Sequence, residues 1–253
     1  MTPGNSEPGP IRPEHGAGEE SSGGRAERVR GMFSAIAGRY DLLNSVLSFG
    51  VDRSWRREAA RLALEQGPES VLDAATGTGE LALLMKRKRP ATRVVGADFA
   101  APMLEIADRK AGESGLDVEL LEADVLALPF ADGTFGAVTI AYGLRNLADL
   151  EAGLTELRRV LEPGGRLVVL EFPPPPEDAL GLLFRLYFRH VLPRVGGWIS
   201  GSRSAYEYLP TSVLAFPRPP ELAALVREIG FTGVRYRLQS HGVSAILVGE
   251  KRS

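Results

Sequence analysis

The residues best suited to chemistry lie in VLDAATGTGELA, positions 71–82. An apolar run ends at Asp73, and Gly77-Thr78-Gly79 then turns into a helical pattern. Glycine is needed in such a turn because a side chain there would collide with a ligand lying on the backbone. The helix that follows points free N–H groups and a partial positive charge at that ligand, which suits a carboxylate or a phosphate. Gly77-x-Gly79-x-x-Ala82 also satisfies the GxGxxA dinucleotide fingerprint, so the loop alone specifies only a nucleoside-containing cofactor.

Two further acids extend the pattern. Asp98 closes the next apolar run, about 20 residues past the glycine turn, where a carboxylate accepts hydrogen bonds from both ribose hydroxyls. It is equally placed to cap a helix starting at Ala101. Asp124 ends a third run in EADVLALPF, where its oxygen would accept from the exocyclic amine of an adenine; otherwise it is a surface acid at a strand end. Asp73, Asp98 and Asp124 thus fall at one carboxyl edge, the edge where open α/β sheets bind their ligands. A hydride-transfer enzyme would add its own catalytic pair, such as Tyr-x-x-x-Lys. Here Tyr142 is followed four residues later by Asn146, and no lysine occurs between Lys110 and Lys251. Methyl transfer fits this set better than nicotinamide chemistry.

The elements that must position these residues follow from hydrophobic periodicity. Short apolar runs at 71–75, 93–98, 118–124, 135–143 and 166–172 alternate with helical stretches near 80–88, 101–114 and 149–162. Such alternation builds a parallel sheet from βα units. VRYRLQ and VSAILVGE, separated only by Ser240, His241 and Gly242, must form an antiparallel hairpin. The expected fold is α/β: a Rossmann-like class I S-adenosylmethionine-dependent methyltransferase with a mostly parallel seven-stranded sheet and a C-terminal antiparallel hairpin. Residues 1–26 are rich in Gly, Pro, Ser and Glu and read as a disordered tail. Residues 27–253 read as one domain, with a helical lid at 27–65 and a substrate-side insertion at 173–218.

Composition closes off other chemistries. The 253 residues contain no cysteine, which excludes disulfides and thiolate sites, and only three histidines, His15, His190 and His241, so no metal centre is expected. Thirty basic residues against 32 acidic ones give a formal charge of −2, without the positive excess of a nucleic-acid binder. No apolar run is long enough to span a bilayer and the N-terminus lacks the apolar core of a signal peptide, so a cytoplasmic location is expected.

The chain after the tail resembles the C-methyltransferases of menaquinone and ubiquinone biosynthesis. The resemblance is carried by FSAIAGRYDLLNSVLSFGVDRSWRR at 33–57, VLDAATGTGELA at 71–82, VVGADFAAPMLEIA at 94–107 and ALPFADGTFGAVTIAYGLRN at 127–146. ELRRVLEPGGRLVVLEF at 156–172 and Tyr206-Glu207-Tyr208-Leu209 complete it. YDLLNSVLSFG and AYGLRN are its most specific parts. It implies S-adenosyl-L-methionine as cofactor and a prenylated quinol as acceptor, demethylmenaquinol giving menaquinol. It implies cofactor contacts at Thr78, Asp98, Asp124 and Val125, with Gly77 and Gly79 lining the turn and Ala141 at a further contact. Thr76 stands where the family often has cysteine or glycine, Pro173-Pro174-Pro175 replaces a more polar segment, and His241 stands where glycine is usual.

A ring carbon is a weak nucleophile, so a group that draws the proton from the adjacent hydroxyl or stabilises the resulting oxyanion belongs nearby. Arg145 and Asn146 follow the fourth strand at the right edge. Arg145 is expected to stabilise the developing phenolate or polarise a water, since arginine stays protonated in proteins and is no base. Asn146 would orient the quinol oxygen, and Tyr40 with Asp41 would close over the site. Arg185, Arg189 and Arg194 lie among apolar residues in the 180–200 stretch, which reads as a prenyl channel, an interfacial helix in peripheral contact with the inner membrane face, or an ordinary lid helix. A homodimer is a further expected partner state. Open alternatives are another small hydrophobic acceptor, such as a ubiquinone-pathway benzoquinol, a phenol or a sterol, and a non-catalytic subunit of a quinone-synthesis assembly.

Overall fold

The structure, a computed structural model, describes residues 22–39, 48, 50–178, 181 and 210–253. Tyr40, Asp41, Tyr206–Leu209, residues 1–21 of the expected tail and nearly all of 179–209 lie outside the described residues. Helix α1 (Ser22–Ile36) opens inside the stretch expected as tail, and α2 (Asp52–Leu64) supplies the rest of the expected lid.

Seven strands form one sheet: β1 (Ser70–Ala74), β2 (Arg93–Asp98), β3 (Glu119–Glu122), β4 (Phe135–Ala141), β5 (Leu161–Glu171), β6 (Phe231–Gln239) and β7 (Ser244–Lys251). Their order is β3-β2-β1-β4-β5-β7-β6. β1 to β5 run parallel, and β7 runs against both β5 and β6. The connection Ser240–Gly242 is too short for a crossover, so β6 and β7 must be antiparallel. Placing β7 inside leaves β6 at the edge, where exposed Arg235 and Arg237 discourage pairing with a foreign strand.

The central strands are buried on both faces, which is why they read as continuous apolar runs. On one face α2 and α3 (Glu80–Lys88) pack Trp55, Ala59, Ala63, Leu81 and Met85 over Val71, Val94 and Val168. Ala59, Ala60 and Ala63, all buried, let α2 lie close to the sheet. On the other face α5 (Leu150–Val160) and α6 (Pro219–Glu228) pack Leu154, Leu157, Leu222 and Val226 over Leu72, Val138 and Leu167. Leu157 is fully buried, so truncating it to alanine would cost about 2–5 kcal/mol.

One boundary differs from expectation. The helix ends at Val160 and the strand already begins at Leu161, which pairs with Phe135 ahead of the Pro163-Gly164-Gly165 turn. The turn is therefore a bulge within the β4–β5 ladder. It requires glycine at 165, where a Cβ would stand 2.8 Å from the Glu162 carbonyl oxygen. Beside α3, α4 (Ala101–Ser114) crosses β2 and β3, and α1 with the turn after it rests on α4 through Phe33, Ala37, Met103 and Ile106. The chain reverses its direction of winding between β1 and β4, which opens a crevice at their carboxyl ends.

Candidate active site

A cavity open to solvent occupies that crevice, with about 710 Å³ of empty space counting the solvent at its mouth. The β1–α3 loop forms its floor. Ala75 and Gly77 line it, whereas Thr78 and Gly79 lie behind it at the start of α3. Gly79, at φ +79°, is packed so tightly that a Cβ would meet the Ala107 Cβ at 2.9 Å. Gly77, at φ +57°, has nothing within 4 Å of its Cβ position, so the space above it is free for a ligand. Thr78 is buried, and its carbonyl accepts from Lys110 Nζ at 3.3 Å.

Asp73 does not reach the cavity. It lies beneath the loop, 1 % exposed, accepting from the Thr139 hydroxyl at 2.6 Å and the Thr76 hydroxyl at 2.7 Å. Burial pushes its carboxyl up to about 6, against the pull of the two hydroxyls and the Arg56 guanidinium. It braces the loop from below.

Asp98 lines the cavity at the end of β2. Its oxygens accept from the backbone N–H of Gly77 at 2.8 Å and of Ala100 at 2.9 Å, so it ties two loops together and does not cap α4. Burial raises its pKa, and these backbone donors act the other way. A carboxylate offers about four acceptor positions, which leaves two for ribose hydroxyls. Asp124 sits in the loop two residues past the end of β3, exposed, with Oδ1 accepting from the Leu126 N–H at 2.9 Å. It and Val125 line the cavity, as do Phe99, Met103 and Phe33. Arg30 fixes this side: its guanidinium lies 5.6 Å from the Phe99 ring centre and 3.7 Å from Glu122.

Across the crevice, β4 contributes Ala141, Tyr142 and Gly143. Tyr142 adopts φ +59° and Ala75 φ +51°, conformations that cost a non-glycine residue of order 1–3 kcal/mol each and mark functional sites when the surroundings enforce them. The surroundings do so here. The Tyr142 ring stacks on Phe172 at 4.5 Å with Arg56 on its other side at 5.1 Å, and its N–H donates to the Leu170 carbonyl. Gly143 is required beside Ala75, because a Cβ would stand 2.5 Å from the Ala75 Cβ.

Asn146, in the 3₁₀ turn Leu144–Asn146, lines the cavity; Arg145 does not. The Arg145 side chain, 5 % exposed, turns away to Glu171, with Nη1 2.5 Å from Oε1. The cavity therefore gathers Gly77, Asp98, Asp124, Val125, Ala141 and Asn146, and sets Asp73, Thr78, Gly79 and Arg145 in the layer behind them. Sequence reasoning did not single out Phe33, Phe99, Met103 or Tyr142 as site residues, although each sits inside a motif it had noted. It also passed over Glu171, whose only signal was an acid ending the most apolar strand.

This arrangement suits S-adenosylmethionine: a glycine floor open to a ligand, a helix N-terminus for a carboxylate, and acids for ribose and adenine. The strand order, the reversed β7 and this crevice define a Rossmann-like methyltransferase. Comparison with known sequences narrows the class: the model of the ubiE/COQ5 methyltransferase family matches residues 22–251, and the chain belongs to that family. It is 62 % identical over 220 residues to the demethylmenaquinone methyltransferase of Thermus thermophilus, covering 87 % of this chain and 100 % of that one. To the Deinococcus radiodurans protein of the same name it is 53 % identical, covering 90 % and 94 %. Among solved structures, an S-adenosylmethionine-dependent methyltransferase of Thermotoga maritima superposes with a TM-score of 0.60 at 19 % identity, covering 87 % of this chain and 99 % of that one. Phosphoethanolamine N-methyltransferase 2 of Haemonchus contortus, in complex with S-adenosylmethionine, superposes with a TM-score of 0.57 at 14 % identity, covering 77 % and 52 %. These two likenesses speak to fold alone.

Proposed function

We propose that this chain methylates a ring carbon of a prenylated hydroquinone, with S-adenosylmethionine as donor and demethylmenaquinol as acceptor. The observation that carries the reading is the 62 % identity to a demethylmenaquinone methyltransferase across that protein's whole length. The make-up of the cavity supports it.

In this reading Asp98 accepts from the ribose hydroxyls and Asp124 from the adenine amine, with Val125 and Ala141 against the nucleoside. Gly77 allows the backbone close approach, while Gly79 lets the loop pack on Ala107 with Thr78 buried beside it. Asp73 acts from below by holding Thr76. Bound there, S-adenosylmethionine would supply a methyl group on a positively charged sulfur, an easily displaced neutral thioether, and the cavity residues would hold it beside the acceptor. Asn146 holds the acceptor's hydroxyl beside the reacting ring carbon, and the hydroxyl proton passes to water as that carbon takes the methyl group. The carbon then gives its hydrogen to water while the carbonyl oxygen is reprotonated, restoring the quinol with one proton released overall. Arg145 serves this geometry from behind Asn146.

No helix among the described residues is long and apolar enough to cross a membrane. An acceptor with an isoprenoid tail resides in a bilayer, so the proposal includes peripheral contact at the inner membrane face, read by vesicle flotation. It also includes a homodimer, read by light scattering. The reading as a whole is tested by labelled methyl transfer to reduced demethylated naphthoquinols and benzoquinols. Label in the naphthoquinol supports it; label confined to a benzoquinol or another phenol replaces the acceptor, and label in none overturns it.

A further inference from the structure

The Glu171 carboxylate, 3 % exposed at the end of β5, does not line the cavity in the crevice. Oε1 accepts from Arg145 Nη1 at 2.5 Å and from the Phe172 N–H at 2.8 Å, and Oε2 accepts from the Arg145 N–H at 3.3 Å. It thus holds the 3₁₀ turn by both the backbone and the side chain of Arg145. Arg145 Nη1 also donates to the Tyr142 carbonyl at 2.7 Å. That same carbonyl receives the Asn146 carboxamide, Nδ2 at 3.1 Å. A carbonyl has two lone pairs, and here both are taken.

These contacts settle which way the Asn146 amide lies. Turned over, its oxygen would oppose the Tyr142 carbonyl oxygen, which donates nothing. As placed, Oδ1 has no hydrogen-bond partner among the described residues and is buried, and it belongs to a residue that lines the cavity. A buried oxygen left without a donor is costly, so its position must be enforced by the contacts around it. Its direction depends on the Tyr142 carbonyl, which sits on a backbone at φ +59° that relaxes unless held. Arg145 holds it, and Arg145 is too deeply buried to stay without its counter-charge.

We propose that Glu171 is a positioning residue for the methyl acceptor. Acting through Arg145 and the Tyr142 carbonyl, it fixes the carboxamide of Asn146 at the wall of the cavity. The inference rests on the methyl-transfer reading of the cavity.

Glu171→Gln keeps the size of the side chain and removes its charge. With a reduced short-chain prenyl naphthoquinone, the variant should lose about 10- to 100-fold in kcat. Its calorimetric Kd for S-adenosylmethionine should stay within about twofold of wild type, since the cofactor contacts lie on other strands. Adding Asn146→Ala to Glu171→Gln should lower kcat no further than Asn146→Ala alone. The side-chain amide resonances of Asn146, assigned by their loss in Asn146→Ala, should move in Glu171→Gln. Losses that multiply in the double variant, or cofactor affinity that falls in step with kcat, overturn the proposal. Should Glu171→Gln fail to fold, Arg145→Met/Glu171→Met removes both charges together; wild-type turnover in it overturns the proposal, and slow turnover with normal cofactor binding supports it. If wild type transfers no methyl to any quinol, the functional reading fails by itself. The Asn146 resonances then decide the positioning role: a shift supports it, and unmoved resonances overturn it.

Discussion

Arg145 and Glu171, 26 residues apart in sequence, form an ion pair with both side chains at least 95 % buried, Nη1 2.5 Å from Oε1. Burying two charges sacrifices most of what their attraction returns, so such a pair is poor stabilisation and better explained as a fixed geometry. Breaking it is another matter. Arg145→Met should destabilise the protein by about 3–5 kcal/mol, because Glu171 is left charged and buried. Arg145→Met/Glu171→Met should be much closer to wild type. Urea denaturation of the two singles and the double checks this; additive losses would show that the two side chains do not act as a pair.

Two glycines of one loop should fail in different ways. At Gly79 the added methyl meets Ala107 within the protein itself, so Gly79→Ala should lower stability by about 1–3 kcal/mol even without ligand. At Gly77 the methyl meets nothing of the protein, so Gly77→Ala should cost only the strain of its left-handed backbone, about 1–2 kcal/mol. Its main effect should be on S-adenosylmethionine, with a Kd at least about tenfold weaker. Thermal melts with and without cofactor separate the two. Equal cofactor affinity in Gly77→Ala and wild type would place the ligand elsewhere.

The contrast shows what the sequence could and could not reveal. Helices at 80–88 and 101–114 and the strand at 93–98 fall where periodicity puts them, because glycine and proline punctuate their ends. Asp98 was legible for the same reason: a strand end and a glycine turn fix its place in any sheet of this kind. Arg145 was legible as a charged residue at the active edge, but its direction was not. That direction is set by Glu171 on the neighbouring strand, and a contact between β4 and β5 leaves no periodic trace. Phe33 shows the same limit, since helical spacing marks its buried face without saying which sheet edge it meets.

Asp98 carries the largest expected effect on cofactor binding. Hydrogen bonds to a charged group contribute about 1.5–3 kcal/mol, so Asp98→Ala should weaken S-adenosylmethionine by about 10- to 100-fold. Asp98→Asn should fare little better, because its amide nitrogen must oppose the N–H of Gly77 or of Ala100. Titration calorimetry reads both. An Asp124→Ala protein keeps the loop ties of Asp98 and should lose less, as its carboxylate is exposed and its hydrogen bonds compete with water. An Asp98→Asn protein with wild-type affinity would remove Asp98 from the cofactor site.

Asp73 predicts a pH dependence of stability whose sign differs from that of the paired surface acids. Its carboxyl is raised from 3.8 to about 6 because burial disfavours the charged form more than Thr139, Thr76 and Arg56 favour it. The folded protein therefore holds the Asp73 proton more tightly than the unfolded chain. The associated stabilisation is full below pH 4 and is lost as the pH rises through 6. Two units correspond to about 3 kcal/mol. Glu58, Glu119 and Glu156 behave oppositely: arginine partners lower them, so the stability they provide is lost as the pH falls. The two trends overlap in wild type and separate only by difference. Asp73→Asn cannot titrate, so its stability relative to wild type should improve by about 2 kcal/mol between pH 4 and pH 7. Chemical denaturation of both proteins across that range checks the sign. A flat difference would mean that the hydroxyls at 2.6 Å and 2.7 Å, with Arg56, cancel the effect of burial.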